Sequence, residues 1–86
     1  MDIAFSKKAE RAYRKLSLTI KKKTDRKLIL LKKDRTSEQL QTKKLQGHTD
    51  TYEVRIDYHY RLIYRVETDC INIDAIGPHD EGLGKK

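Results

Sequence analysis

Four ionisable side chains in the second half of the chain are suited to chemistry on a phosphate backbone: Glu53, Arg55, Arg61 and His79. A planar guanidinium holds two phosphate oxygens at once, and a neutral imidazole gives or takes a proton near pH 7. A carboxylate beside them can serve as a general base. These residue types together predict a surface that binds, and can cut, a phosphate backbone.

Each of these four residues also has a purely structural interpretation. Arg61 can pair across two strands with Glu53, and Glu53 can balance the charge of Arg55, Arg61 or Arg65. Arg55 can be a solvated strand residue, and His79 can be a surface loop residue. The residue types alone leave these alternatives open.

Alternation of apolar and charged residues predicts the strands that must position this set. In residues 52–57 one face carries Tyr52, Val54 and Ile56, and the other carries Glu53, Arg55 and Asp57. The next strand places Tyr60, Leu62, Tyr64 and Val66 opposite His59, Arg61, Ile63 and Arg65. We therefore expect one core face, which includes the tyrosines, and one basic face.

The first half of the chain predicts a strand followed by two helices. Ile3 and Phe5 have strand spacing, and Ser6 is a good N-cap for a first helix. Asp25 is the expected cap of a second helix, and residues 35–42 read as a polar linker anchored by Leu40. The predicted fold is α+β, with an N-terminal strand and a two-helix hairpin packed on a small twisted, mainly antiparallel four-stranded sheet.

Length and composition predict one small basic domain. The chain has 86 residues, a net charge of +7 and a pI of about 9.6, which favours a nucleic acid or an acidic protein as partner. We expect residues 1–86 to form a single domain in which residues 82–86 are a frayed tail. One cysteine, Cys70, allows no internal disulfide, and no spacing indicates a metal or cofactor site. Neither a signal peptide nor a membrane span is predicted, so we expect a cytoplasmic protein.

Lysines and arginines outside the four-residue set are candidate RNA contacts. Contacts of this kind supply affinity for phosphates without reading sequence. The candidates are Lys22, Lys23, Lys43, Lys44 and Arg65. For any single lysine, a solvated surface position is the alternative.

Four segments carry a resemblance to a known family. They are Lys-Leu-Gln-Gly-His at 44–48, Tyr-Glu-Val-Arg at 52–55, Tyr-Arg-Leu-Ile-Tyr-Arg-Val-Glu at 60–67 and Ile-Asp-Ala-Ile-Gly-Pro-His-Asp at 73–80. In this order they resemble the RelE/ParE superfamily of bacterial toxins, over nearly the whole chain. The specific part is the Tyr-Arg-Leu-Ile-Tyr run followed by a strand that ends in Ile-Gly-x-His.

The resemblance implies the toxin of a type II toxin–antitoxin pair, with a cognate acidic antitoxin as partner. In the RNA-cleaving branch, the substrate is mRNA, on the ribosome, and the reaction needs no metal. There an arginine that matches Arg61 clamps the scissile phosphate, Arg55 matches a position that is usually basic, and His79 matches a position that contributes to the reaction. Glu53 departs from several relatives, which have lysine there, and can deprotonate the ribose 2′-hydroxyl.

Two other functions remain open at this point. The chain can be a non-cleaving toxin that inhibits DNA gyrase, as in the ParE branch, or an inactive module that only binds its antitoxin. Cleaving relatives often carry a tyrosine just past the histidine or arginine. Residues 80–84 contain none, so the resemblance predicts a slower enzyme.

Overall fold

The structure is a computed structural model that describes residues 2–40, 42–45 and 50–78. Its elements are β1 (Asp2–Phe5), α1 (Lys7–Arg14), α2 (Leu18–Lys33), β2 (Lys43–Lys44), β3 (Thr51–Arg55), β4 (Tyr60–Glu67) and β5 (Cys70–Pro78). The strands form one sheet in the order β1-β5-β4-β3-β2, in which β1 runs parallel to β5 and the other pairs are antiparallel. The predicted α+β fold is confirmed. The predicted number of four strands is wrong, because the two-residue β2 adds a fifth.

Ser6 ends the first strand and starts the first helix. Its side chain accepts a hydrogen bond from the Ala9 amide at 3.0 Å, as an N-cap does. The same hydroxyl donates to the Asp74 carbonyl at 3.0 Å, and the Ser6 amide donates to the Ile73 carbonyl at 2.9 Å. The predicted cap is therefore confirmed, and it also ties the start of α1 to β5.

The second helix begins eight residues earlier than the sequence predicted. Its N-cap is Ser17, whose side chain accepts from the Ile20 amide at 3.3 Å. Asp25 lies inside α2 and accepts a hydrogen bond from the Tyr13 hydroxyl at 2.7 Å. The prediction of Asp25 as a cap is wrong, because its carboxylate links α1 to α2 instead.

The core lies between the helices and one face of the sheet. It contains Ala9 of α1, Leu31 of α2, the linker residue Leu40 and an alternating set from the central strands: Val54, Leu62, Tyr64, Ile71, Ile73 and Ile76. Tyr52 stacks on Tyr64 with ring centroids 5.3 Å apart. The predicted packing role of the tyrosines in the sheet is confirmed, and so is the role of Leu40 as an anchor.

A β-bulge shifts the register of β4 against β5. Ile63 pairs with Ala75, but Tyr64 pairs with Ile73, so Asp74 is the additional residue. This is why Ile73 and Ile76, three positions apart, both reach the core. Within the described residues, no helix combines the length and apolar character needed to cross a membrane.

Candidate nucleic-acid interface and active site

The outer face of the sheet, which points away from the two helices, carries three of the four predicted catalytic residues. Arg55 of β3 lies directly opposite Arg61 of β4, and Arg61 lies opposite Gly77 of β5. Glu53, two residues before Arg55, shares that face and lies opposite Ile63. The fold thus brings Glu53, Arg55 and Arg61 onto one surface, as the alternation predicted.

The Arg55–Arg61 pair places two positively charged residues directly opposite each other on adjacent strands. Like charges directly opposite each other on adjacent strands destabilise a sheet. Neither arginine forms an ion pair with a described residue. On its other side Arg61 lies opposite Gly77, which contributes no side chain to this face. A phosphate bound there would offset the repulsion, so the pair is suited to an anion.

The repulsion predicts that Arg55→Thr stabilises the free protein. Relief of one like-charge pair should raise the free energy of unfolding by about 0.2–1 kcal/mol, the range of other cross-strand pairs, which is an increase of about 1–8 °C in the melting temperature for a domain of this size. The gain should shrink as salt screens the charges. Thermal unfolding at low and high salt measures both effects.

Arg65→Thr is the matched control for this prediction. It makes the same change on the same face, but Arg65 has carboxylate neighbours and not an arginine opposite it. We expect no gain from Arg65→Thr. An equal gain in both variants would mean that the β-propensity of threonine, and not charge repulsion, explains the result.

The Arg61 side chain is held by the turn between β3 and β4. Its Nη1 donates to the carbonyls of Asp57 at 2.9 Å, Tyr60 at 3.2 Å and Tyr58 at 3.4 Å. The other two nitrogens of Arg61, Nε and Nη2, make no hydrogen bond to another described residue. These two nitrogens share one edge of the guanidinium, so a side-on edge with two donors remains for a ligand.

Glu53 is buried although it lies on the outer face, with 9 % of its surface exposed. The four ion pairs among the described residues do not include it. Glu53 and Arg61 therefore do not form the cross-strand ion pair that was their structural alternative. The register explains this, because Arg55 and not Glu53 lies opposite Arg61. Glu53 keeps acceptor oxygens that are unused by described side chains.

The remaining candidates on the sheet lie on the edge strand β2 and on the central strand β4. Lys43 pairs in register with Glu53, and both Lys43 and Lys44 are exposed on the edge strand β2. Arg65 is exposed and bridges two carboxylates, Asp74 and Glu67, each at 2.8 Å. The hydrogen bond and the charge of Asp74 raise the pKa of Arg65 above its usual value. An RNA contact by Arg65 would thus compete with an existing ion-pair network.

Lys22 and Lys23 lie on α2 and not with the arginine pair. Lys22 is exposed, whereas Lys23 approaches the β3–β4 turn, where its Nζ lies 3.7 Å from Asp57 Oδ2. Lys23 therefore lies beside the turn whose carbonyls bind Arg61, whereas Lys22 has no ion pair with a described residue. Their predicted RNA contacts remain predictions.

His79 lies outside the described residues, as does the predicted tail at 82–86. Its predicted part in catalysis therefore remains a prediction from the sequence. Within residues 2–40, 42–45 and 50–78, no group of three or more histidine, cysteine, aspartate or glutamate side chains is arranged to hold a metal ion.

Asp57 is the residue whose importance the sequence analysis missed. It was placed on the outer face with no role, yet its side chain accepts hydrogen bonds from the amides of His59 and Tyr60, both at 2.9 Å. The available signal was an aspartate that follows a strand and precedes a short turn, since aspartate often binds the backbone two residues on.

Comparison with known proteins identifies the class of this fold and site. The fold is that of the RelE/ParE superfamily of toxin–antitoxin toxins, as the structural similarities below show. The family described as the ParE toxin of type II toxin–antitoxin systems matches residues 3–83. The chain belongs to this family and is a toxin of a type II toxin–antitoxin system. No curated protein sequence matches it.

Several solved toxin structures are similar to the chain over nearly its whole length. The YoeB dimer from Staphylococcus aureus is 26% identical, with a TM-score of 0.79 over 92% of this chain and 97% of that one. The RelBE toxin–antitoxin complex from Escherichia coli is 24% identical, with a TM-score of 0.78 over 93% and 98%. A YoeB/ParE toxin from Agrobacterium tumefaciens has a TM-score of 0.82 at 15% identity, over 92% and 99%. At such identities the last two similarities establish the fold alone.

Proposed function

We propose that this toxin is a metal-independent endoribonuclease that cleaves mRNA on the ribosome, in the cytoplasm. The observation that carries the proposal is the outer face of the sheet. There Glu53, Arg55 and Arg61 lie together, the arginines directly opposite each other and the carboxylate free of ion pairs with described residues. A phosphate clamp next to a base is the arrangement that RNA cleavage by an internal nucleophile requires.

The proposed reaction is a transfer within the RNA strand. Glu53 takes the proton of a ribose 2′-hydroxyl, and the oxygen attacks the adjacent phosphorus. Arg55 and Arg61 stabilise the charge that develops on the phosphate oxygens. The bond to the 5′-oxygen breaks, and His79 supplies the proton to that leaving oxygen. The products are a 2′,3′-cyclic phosphate on one fragment and a 5′-hydroxyl on the other.

The chemical nature of the fragment ends tests this proposal. Purified protein, incubated with programmed ribosomes and mRNA, is expected to give 2′,3′-cyclic phosphate ends. The same ends are expected with free mRNA and EDTA, if the reaction does not depend on the ribosome. Fragments with other ends, or no cutting under either condition, would contradict the proposal.

The alternative function is inhibition of DNA gyrase without cleavage of RNA. It is favoured by the family description, which names the ParE toxin, whereas the similar solved structures include RelE and YoeB toxins. Intact transcripts together with double-strand DNA breaks in cells that express the chain would favour gyrase. The proton-transfer residue Glu53, which binding to gyrase does not require, is the reason to prefer RNA cleavage.

We also propose that a cognate acidic antitoxin occupies a groove on the helical side of the molecule. The groove has a volume of about 530 Å³, and the charged residues in the described part of its lining are all basic: Lys23, Arg26, Lys27 and Lys33. Its apolar lining is Ile29, Leu30 and Ile56, and Ile29 is 68 % exposed. An amphipathic acidic helix fits this combination, since its apolar face can cover Ile29 while its carboxylates meet the four cations. The similar YoeB and RelE toxins have been solved with the antitoxins YefM and RelB.

Ile29→Asp is expected to weaken antitoxin binding by at least tenfold, since it puts a carboxylate in the apolar part of the groove and repels an acidic partner. Leu18→Asp is the matched control: it lies on the same helix, is also 68 % exposed, and is outside the groove lining. Complex formation is measured by co-expression with the protein encoded by a small acidic reading frame next to this one, followed by sizing chromatography at low salt. Equal effects of the two variants would exclude the groove, and no complex with the wild-type chain would exclude this partner.

A further inference from the structure

We propose that Asp57 is a positioning residue that holds Arg61 in the orientation needed to bind a phosphate. The role rests on the proposed RNA cleavage, in which Arg61 and not Asp57 touches the substrate. Asp57 lies in the turn between β3 and β4, and its contacts and those of Arg61 form one connected network.

The first part of the network fixes the turn. Asp57 Oδ1 accepts from the amides of His59 and Tyr60, both at 2.9 Å, and Oδ2 lies 3.7 Å from Lys23 Nζ. The amides of Ile56 and Asp57 donate to the Tyr60 carbonyl at 3.0 and 3.3 Å. One side chain therefore closes the turn from within and ties it to α2.

The second part holds the arginine. Closure of the turn directs the carbonyls of Asp57, Tyr58 and Tyr60 toward one nitrogen, Nη1 of Arg61. With Nη1 occupied, the guanidinium plane is fixed and its other edge, formed by Nε and Nη2, can meet two phosphate oxygens. A long side chain that is already ordered loses less conformational entropy in the transition state.

The charge of Asp57 is consistent with this role. Burial acts to raise the pKa of this carboxyl, but the amides of Tyr60 and His59 and the charge of Lys23 outweigh it, so the pKa of Asp57 is lowered. A lowered pKa keeps the carboxylate ionised throughout the neutral range. Its contribution to stability is complete above the usual pKa of 3.8 and is lost as the pH falls through the lower folded value.

The test compares Asp57→Ala, which removes the acceptor, with Asp57→Asn, which keeps an oxygen at Oδ1. We expect Asp57→Ala to lower kcat for RNA cleavage by roughly ten- to a hundredfold with little change in KM, because a misplaced group costs up to about 10² in rate. Asp57→Asn should recover most of the rate. Asp69→Ala, in the exposed turn between β4 and β5, is the matched control and should leave the rate unchanged. All rates are measured at a temperature where each variant is folded.

A double-mutant cycle separates positioning from general stability. If Asp57 acts through Arg61, Asp57→Ala should cost little further rate in an Arg61→Ala background. An equal loss in both backgrounds, or an unchanged kcat in Asp57→Ala alone, would overturn the proposal.

A second readout needs no RNA. Rotation about the Cζ–Nη1 bond of Arg61, followed by NMR of its side-chain nitrogens, should be slow in the wild type and in Asp57→Asn and fast in Asp57→Ala. Equal rotation in all three proteins would reject the positioning role. If the wild type fails to cut RNA, the proposed function fails, and this measurement still decides whether Asp57 orders Arg61.

Discussion

Arg61→Ala is expected to lower the rate of RNA cleavage by about a hundred- to a thousandfold, the usual loss when one preorganised donor to a transition-state charge is removed. Arg61 combines a hydrogen-bonded Nη1 with a side-on edge that makes no hydrogen bond to another described residue, and the like-charged Arg55 lies opposite it. The variant should therefore lose a clamp on the developing charge while the core face remains unchanged. Cleavage rates in vitro and growth arrest in cells measure the effect.

Two further variants sharpen this prediction. Arg61→Lys keeps the positive charge but replaces the planar guanidinium by a compact ammonium group that cannot bind two phosphate oxygens side-on. It should therefore cleave faster than Arg61→Ala but more slowly than the wild type. Arg11→Ala removes an exposed arginine of α1 and should have no effect on cleavage. Circular dichroism of each variant confirms that it is folded. Undiminished growth arrest by a well-expressed Arg61→Ala protein would exclude the clamp.

The central strands could be predicted because their pattern depends only on local alternation. Leu62 and Tyr64 face the core, and Arg61 and Arg65 face outward, as expected for a strand with one buried side. Alternation fails at Asp74, because a bulge depends on pairing between two strands and not on either strand alone. Ile76 consequently lies in the core together with Ile73, a position that period-two spacing does not predict.

Short or ambiguous elements were harder to predict for physical reasons. Ser17 and Asp25 can both cap a helix, and the lysines between Ile20 and Leu28 obscure the apolar stripe that would choose between them. The choice is made by tertiary contacts, because Asp25 bonds to Tyr13. Strand β2 consists of two lysines with no apolar alternation, and it exists because β3 offers a pairing edge.

The composition of the candidate site could be predicted, but its internal arrangement could not. Alternation placed Glu53, Arg55 and Arg61 on one face. Which of them meet depends on the register of β3 against β4, which the turn at residues 56–59 determines. The register pairs Arg55 with Arg61 and leaves Glu53 beside Ile63, so a like-charge pair forms where the alternative interpretation had an ion pair between Arg61 and Glu53.

Glu53→Gln is expected to slow RNA cleavage by roughly 10²–10⁴, the usual contribution of one acid–base group. Glutamine has nearly the same shape, so it preserves the packing of a side chain that is only 9 % exposed, but it cannot take the proton of the 2′-hydroxyl. Glu67→Gln, an exposed change on β4, is the matched control and should cut at the normal rate. His79→Ala should slow cutting within the same range, because it removes the proposed proton donor.

Glu53→Gln also decides between the two candidate functions of this toxin, RNA cleavage and inhibition of DNA gyrase. Cleavage requires a base, whereas inhibition of gyrase by binding requires only a surface, so a neutral isostere at position 53 should affect the two very differently. If the chain acts as a ribonuclease, Glu53→Gln should lose toxicity along with the 2′,3′-cyclic phosphate ends, while it still binds the antitoxin at the separate basic groove. The opposite result is that cells that express Glu53→Gln still stop growing, with intact transcripts and broken DNA. In that case the Glu53 carboxylate has no catalytic role, and the toxin inhibits DNA gyrase instead of cleaving RNA.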